Sequence, residues 1–181
     1  MKKIIALSIL AILMCGCSLT KDLDNTPTKK VEALLNRYQT LDNSVLDDLN
    51  DVVNGDLSFD EGQRETYKDI IKSNYQKMTY EIKNAEEDGE EAIVTAEIEV
   101  INYTTILTDI KNYLKEFPEE FEDNGEYSES KYNDYRLEQL KNAKEKVKYT
   151  VDFTLTKVDG QWIVDDLSNE IRDKINGIYE K

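Results

Sequence analysis

Val147-Lys148-Tyr149-Thr150-Val151-Asp152-Phe153-Thr154-Leu155 alternates apolar with polar side chains, and Thr156-Lys157-Val158-Asp159-Gly160-Gln161-Trp162-Ile163-Val164 follows without a break. Successive side chains of a strand point to opposite faces, so the period predicts one face on a core and one in water. Asp159-Gly160 is the dipeptide that a tight hairpin turn prefers, because both central residues need positive φ. Gln161 to Val164 is then the returning strand. The same period recurs upstream. From Ala92 to about Tyr103, Val94, Ala96, Ile98 and Val100 face inward, with Thr95, Glu97 and Glu99 outward. Before it, Met78, Tyr80 and Ile82 share a face opposite Glu81 and Lys83, and Glu86-Glu87-Asp88-Gly89 reads as the connecting turn. Two hairpins make an antiparallel sheet of about four strands.

Ahead of and between the hairpins the period is helical. Thr26-Pro27 reads as an N-cap with proline at the first helical position, followed by Val31, Leu34, Leu35 and Tyr38 at helical spacing. A second helix starts at Asn43 or Ser44, puts Val45, Leu46, Leu49, Val52 and Val53 on one face, and ends near Asn54-Gly55. Ser58 with Glu61 has the capping-box spacing ahead of a third helix carrying Tyr67, Ile70, Ile71 and Tyr75. Two further helices are predicted between the hairpins. One runs from about Thr105 to Phe117, stopped by Pro118, and the other from Ser130 to Lys144, joined by the polar loop Glu122-Asp123-Asn124-Gly125. Ser168 caps a last helix with Ile171, Ile175 and Ile178 inward. The predicted architecture is α+β: N-terminal helices packed on a curved, cone-like antiparallel sheet, one domain over 27–181, with a helical insertion at 105–144.

This order of elements, with the late strand pair Phe153 to Val164 turning at Asp159-Gly160 and followed by Trp162, resembles the nuclear transport factor two-like superfamily. That group includes the SnoaL-like and ketosteroid isomerase-like proteins. The chain beyond Cys17 as a whole is similar to small lipoproteins of low-GC Gram-positive bacteria that carry such a domain. The resemblance implies a cone in which the sheet wraps around helices and leaves a pocket, used by some members for catalysis and by others for ligands or partners. The insertion departs from it, being longer than the usual connection.

The N-terminus carries an address. Lys2 and Lys3 precede the mostly apolar run Ile4 to Met14, and Cys15-Gly16-Cys17 follows before polarity returns at Ser18. A helix over that run rises about 16 Å, whereas a bilayer core needs about 30 Å, so the run suits an export signal and not a permanent span. Met14 to Cys17 resembles the bacterial lipobox, in which a small residue precedes a cysteine thioether-linked to diacylglycerol. Gly16 is that small residue. The expectation is therefore a signal peptide over 1–16, lipid on Cys17, a polar tether over 17–26, and residence on the extracytoplasmic face of the cell membrane.

Charge and composition narrow the function. The net charge is −15 and becomes −17 once Lys2 and Lys3 leave with the signal, so a nucleic acid is not an expected partner. An anionic bilayer surface would repel the domain too, which leaves membrane attachment to the lipid on Cys17. There is no histidine and no cysteine after Cys17, which removes Ser-His, Cys-His and histidine-metal chemistry as well as disulfides. No cofactor, metal site or catalytic residue is predicted. Tyr80, Tyr103, Tyr149 and Trp162 either line a pocket in the cone or pack in the core with their polar tips at the surface. Tyr127, Tyr132 and Tyr135, set among charges, read as an interaction surface. The expected function is a noncatalytic binding module for a partner protein or small ligand. Two alternatives stand beside it. One is an isomerase or dehydratase built on carboxylates and a tyrosine, such as Asp152, Asp165 and Tyr149. The other is a weak calcium site at Glu120, Glu122, Asn124 and Gly125, where Lys131 occupies the place of the bidentate glutamate, or at Glu86 to Glu91.

Overall fold

The structure is a computed structural model and describes residues 24–55 and 58–180. Cys17 and the predicted signal segment lie outside the described residues. Three helices come first: α1 (Pro27–Gln39), α2 (Asn43–Gly55) and α3 (Glu61–Lys77). Strands β1 (Thr79–Asp88) and β2 (Glu91–Ile101) follow, then α4 (Tyr103–Glu116) and a 3-10 turn at Pro118–Phe121. The two-residue strands β3 (Glu122–Asp123) and β4 (Glu126–Tyr127) lead into α5 (Glu129–Asn142). β5 (Lys146–Val158), β6 (Gln161–Val164) and α6 (Asn169–Asn176) close the chain.

The main sheet has the order β1-β2-β5-β6, antiparallel throughout. Register follows the sequence period, because a one-residue slip would carry every apolar side chain to the wet face. Thus Val94 sits opposite Phe153, Ala96 opposite Val151, and Ile98 opposite Tyr149, all buried. The outer face is polar: Lys148 Nζ lies 2.8 Å from a Glu97 carboxylate oxygen, Lys146 Nζ 2.9 Å from Glu99, and Thr95 donates to Asp152 at 2.6 Å. The β1–β2 turn is Gly89-Glu90, so Glu86, Glu87 and Asp88 belong to the strand and not to the turn. A bulge between Ile82 and Asn84 explains how β1 keeps Ala85 opposite Val94 after an extra residue. Helices α1, α3 and α6 cover the inner face. The two-residue ladder of β3 and β4 is an addition that the sequence period did not predict.

Local chemistry sets the helix ends. Thr26 accepts from the Lys29 N–H and Pro27 opens α1, as expected. The α3 cap is Asp60, not Ser58: Asp60 accepts from the Gln63 N–H at 2.8 Å, and the Gln63 side chain accepts from the Asp60 N–H at 3.1 Å. In α2, Val52 is 72% exposed, although it falls among the apolar residues of that helix. Asn25, just ahead of α1, is stapled to the closing hairpin. Its amide donates to the Gly160 carbonyl at 2.9 Å and accepts from the Trp162 N–H at 3.0 Å.

The end of β2 is tied to α6 through a buried polar joint. Asn74, 1% exposed, accepts from the Ile101 N–H at 2.9 Å and donates to the Ile175 carbonyl at 3.2 Å. Gly177 ends α6 with φ +75°, and its carbonyl accepts from the first two N–H groups of α4, Tyr103 at 2.9 Å and Thr104 at 3.1 Å. A Cβ at Gly177 would stand 2.0 Å from the Ile101 carbonyl oxygen, so glycine is required for space as well as for φ.

Candidate functional site

A groove of about 290 Å³ opens between α3 and α5 at the end of β2. Thr66, Ile70, Ser73 and Lys77 line it at intervals of four, three and four residues, which places them in one stripe on α3. Leu140, Lys141 and Ala143 form the opposite wall, and Ile101 and Tyr103 complete it. Ile70, Ile101, Tyr103 and Leu140 are buried and make an apolar floor. The Tyr103 hydroxyl donates to the Ile70 carbonyl at 3.4 Å, and burial pushes its pKa up to about 12, so it stays a neutral donor at physiological pH.

The rim is polar and uneven. Lys77 and Lys141 are exposed and have no hydrogen-bond or ion-pair partner among the described residues. Asp69, also on the rim, is paired with Lys72 at 3.3 Å. Toward the start of α3 the trough continues past Thr66 to Asp60, Asp134 and Glu138. There α5 is locked to the start of α3. Gln63 donates to Asp134 at 2.8 Å and to the Ser130 carbonyl at 3.1 Å, while Asn133 donates to the Ser58 carbonyl at 2.6 Å. The two helices therefore run parallel, joined at their N-terminal ends and separated by the groove toward their C-terminal ends.

The structure does not gather Tyr80, Tyr103, Tyr149 and Trp162 into one pocket. Tyr80 donates to Asn36 on α1 at 2.9 Å, and Tyr149 donates to the Tyr179 carbonyl at 3.4 Å. Trp162 is buried with the Lys157 ammonium 5.0 Å from its ring centre. Of the four, Tyr103 alone lines the groove. Burial of the ring with the hydroxyl on a backbone carbonyl is the arrangement for Tyr103 and Tyr149.

Two of the three insertion tyrosines are placed differently from their expected surface role. Tyr135 stacks on Tyr113 at 5.1 Å, Phe121 meets Tyr135 edge-on at 5.4 Å, and Tyr132 meets Phe121 edge-on at 5.7 Å. Tyr132 and Tyr135 are half-buried in this cluster, which holds α4, the 3-10 turn and α5 together. Tyr127 is 56% exposed and is the member of the predicted trio that faces solvent.

Nor do the residues of the two alternatives converge. Asp152 accepts from Thr95 and Asp165 from Thr156, both on the outer sheet face, whereas Tyr149 is buried on the inner one. Glu120 accepts from the Tyr113 hydroxyl at 2.8 Å, and the Lys131 ammonium takes the Glu122 carbonyl at 2.6 Å, where a calcium ion would compete with a fixed cation. Among the described residues no group of three or more acidic or cysteine side chains is placed to hold a metal ion. Also among them, no helix is long and apolar enough to cross a membrane.

Sequence reasoning passed over Lys77 and Lys141. One local signal was available for Lys77: Ser73 and Asn74, one turn back, offer it no carboxylate.

No protein-family model matches the chain, and no curated protein matches it. Among solved structures it is similar to the crystal structure of a candidate lipoprotein (ycdA) of Bacillus subtilis, at 20% identity and a TM-score of 0.49, covering 76% of this chain and 46% of that one. The chain thus spans less than half of that protein's length.

Proposed function

We propose that this chain is a noncatalytic lipoprotein of the extracytoplasmic face of the cell membrane, and that its domain binds a small ligand in the groove between α3 and α5. The observation that carries the binding role is the groove itself, a concavity whose rim of hydroxyls, Asp69, Lys77 and Lys141 surrounds the nearly buried Ile70, Ile101, Tyr103 and Leu140. The lipid anchor rests on Lys2, Lys3, the apolar run to Met14, and Gly16-Cys17. A noncatalytic role is favoured by the lack of any histidine or domain thiol. We read the fold as a nuclear transport factor two-like cone whose interior is filled by core side chains. In this reading the α4–α5 insertion creates a replacement site on the outside of α3.

A second reading, a partner protein held at the insertion, is favoured by Tyr127, exposed beside Glu126 and Glu129. One experiment separates the two. Small-molecule mixtures are screened by ligand-observed NMR against the full-length chain and against Ala143→Trp, which plugs the groove, and Tyr127→Ser. Hits lost in Ala143→Trp and kept in Tyr127→Ser support the groove. Hits unaffected by the plug, or none at all, overturn it. For the anchor, Cys17→Ser should abolish metabolic lipid labelling; unchanged labelling would refute the assignment.

A further inference from the structure

The groove has a chemical preference that its lining states. In a chain of net charge −15, Lys29, Lys72, Lys83, Lys146 and Lys148 each have a carboxylate within 4.0 Å, whereas Lys30, Lys77, Lys115, Lys141 and Lys144 have none among the described residues. Lys77 and Lys141 are on opposite walls of one concavity and have no partner among the described residues. Both stand in the last turn of a helix, where cations balance the dipole. Two helix ends supply only about half a negative charge each, against two full positive charges. The Asp69 carboxylate is matched by Lys72, and Glu138, one turn before Lys141, lines the trough beyond, so the positive excess is confined to the Lys77 end of the groove.

Resting on the groove being the ligand site, we infer that its ligand is a small amphiphilic anion. A carboxylate or phosphate oxygen takes the place of the missing partner at Lys77 and Lys141, with Ser73 at hand as a neutral donor. The apolar body lies on Ile70, Ile101 and Leu140. Size points to a small molecule lying along α3: the groove encloses about 290 Å³ and continues past Thr66. A medium-chain acid, or a single lipid headgroup with the start of its chain, is of that class.

The test is a titration of the full-length chain with octanoate, 1-octanol and octylamine below their aggregation limits, read at the Ile101 and Leu140 methyl groups by NMR. Octanoate should bind about tenfold or more tightly than the other two, the size of one charge-assisted contact. Lys77→Gln and Lys141→Gln should each weaken octanoate several-fold, the double variant should bring it to the level of octanol, and Tm should hardly move. Parallel titration with phosphatidylglycerol vesicles distinguishes the source. Groove shifts with vesicles and not with free octanoate assign the anion to a lipid headgroup, and the reverse assigns it to a free acid. Either supports the inference. Equal binding of all three probes at the groove methyls would keep the site and overturn the anion. Undiminished octanoate preference in the double lysine variant would overturn it as well. No shift with any probe would remove the groove reading altogether.

Discussion

The face of α3 turned toward α6 and the face turned toward α5 treat their polar groups differently. Toward α6, Asn74 is buried and both ends of its amide are matched, and the Tyr75 hydroxyl, its pKa pushed up by burial, donates to Asn176 at 2.8 Å. Toward α5, the ammonium of Lys77 and that of Lys141 across from it have no partner among the described residues. The difference follows from water. An unmatched amide in the joint would lose about 1–3 kcal/mol for each bond it fails to make, whereas an unmatched lysine on an open rim is still solvated. Matching is compulsory on one face of the helix and optional on the other. Ile101 and Tyr103 belong to both, their backbones to the joint and their side chains to the groove. Stability and recognition therefore meet at these two residues.

The largest effect should come from the joint. Gly177→Ala drives a methyl group into the Ile101 carbonyl oxygen at an unfavourable φ, and should remove about 3 kcal/mol or more of stability, read as the urea midpoint. A midpoint equal to wild type would show that the joint yields, and would end the contrast with the groove. Asn74→Ala comes next. It strands the Ile101 N–H and the Ile175 carbonyl, at an expected cost of about 2–3 kcal/mol. Slowed amide exchange at Ile101 should disappear with it; retained protection would mean that water fills the gap.

The outer sheet face supplies the smallest effect and a third kind of matching, in full exposure. Hydrogen bonds from Lys148 and Lys146 hold the Glu97 and Glu99 carboxyls below the usual carboxylate range. A depressed folded pKa gives stability that is present above the unfolded value, about 4.3, and lost as pH falls through the folded one. The Tm difference between wild type and the Glu97→Gln, Glu99→Gln double variant should therefore be small at neutral pH and vanish toward pH 3. A difference that grew on acidification would reverse the assigned direction.

Much of this architecture could be read before any coordinates, wherever the cause was local. Alternation from Val147 to Leu155 fixes register because burial of one face leaves no second choice, and Asp159-Gly160 takes φ values of 50° and 77° as its composition implies. The α3 cap was misread because Ser58 with Glu61 and Asp60 with Gln63 both have the capping spacing. The role falls to Asp60, whose partner Gln63 is itself held by α5 through Asp134 and Ser130. The tyrosines illustrate the same limit. Alternation can place Tyr149 inward, but its hydroxyl ends on Tyr179, thirty residues away. The groove was invisible for that reason: Lys77 and Lys141 become neighbours only when α5 docks beside α3, and no local pattern records that docking.

The staple at Asn25 has a geometric consequence. It fastens the incoming chain to the Asp159-Gly160 turn, and that turn sits at the Glu91 end of β2, while the groove opens at the Ile101 end. Ten residue steps at about 3.3 Å put roughly 33 Å between these poles. The sheet is thus a rigid spacer between the point where the described chain enters and the mouth of the groove.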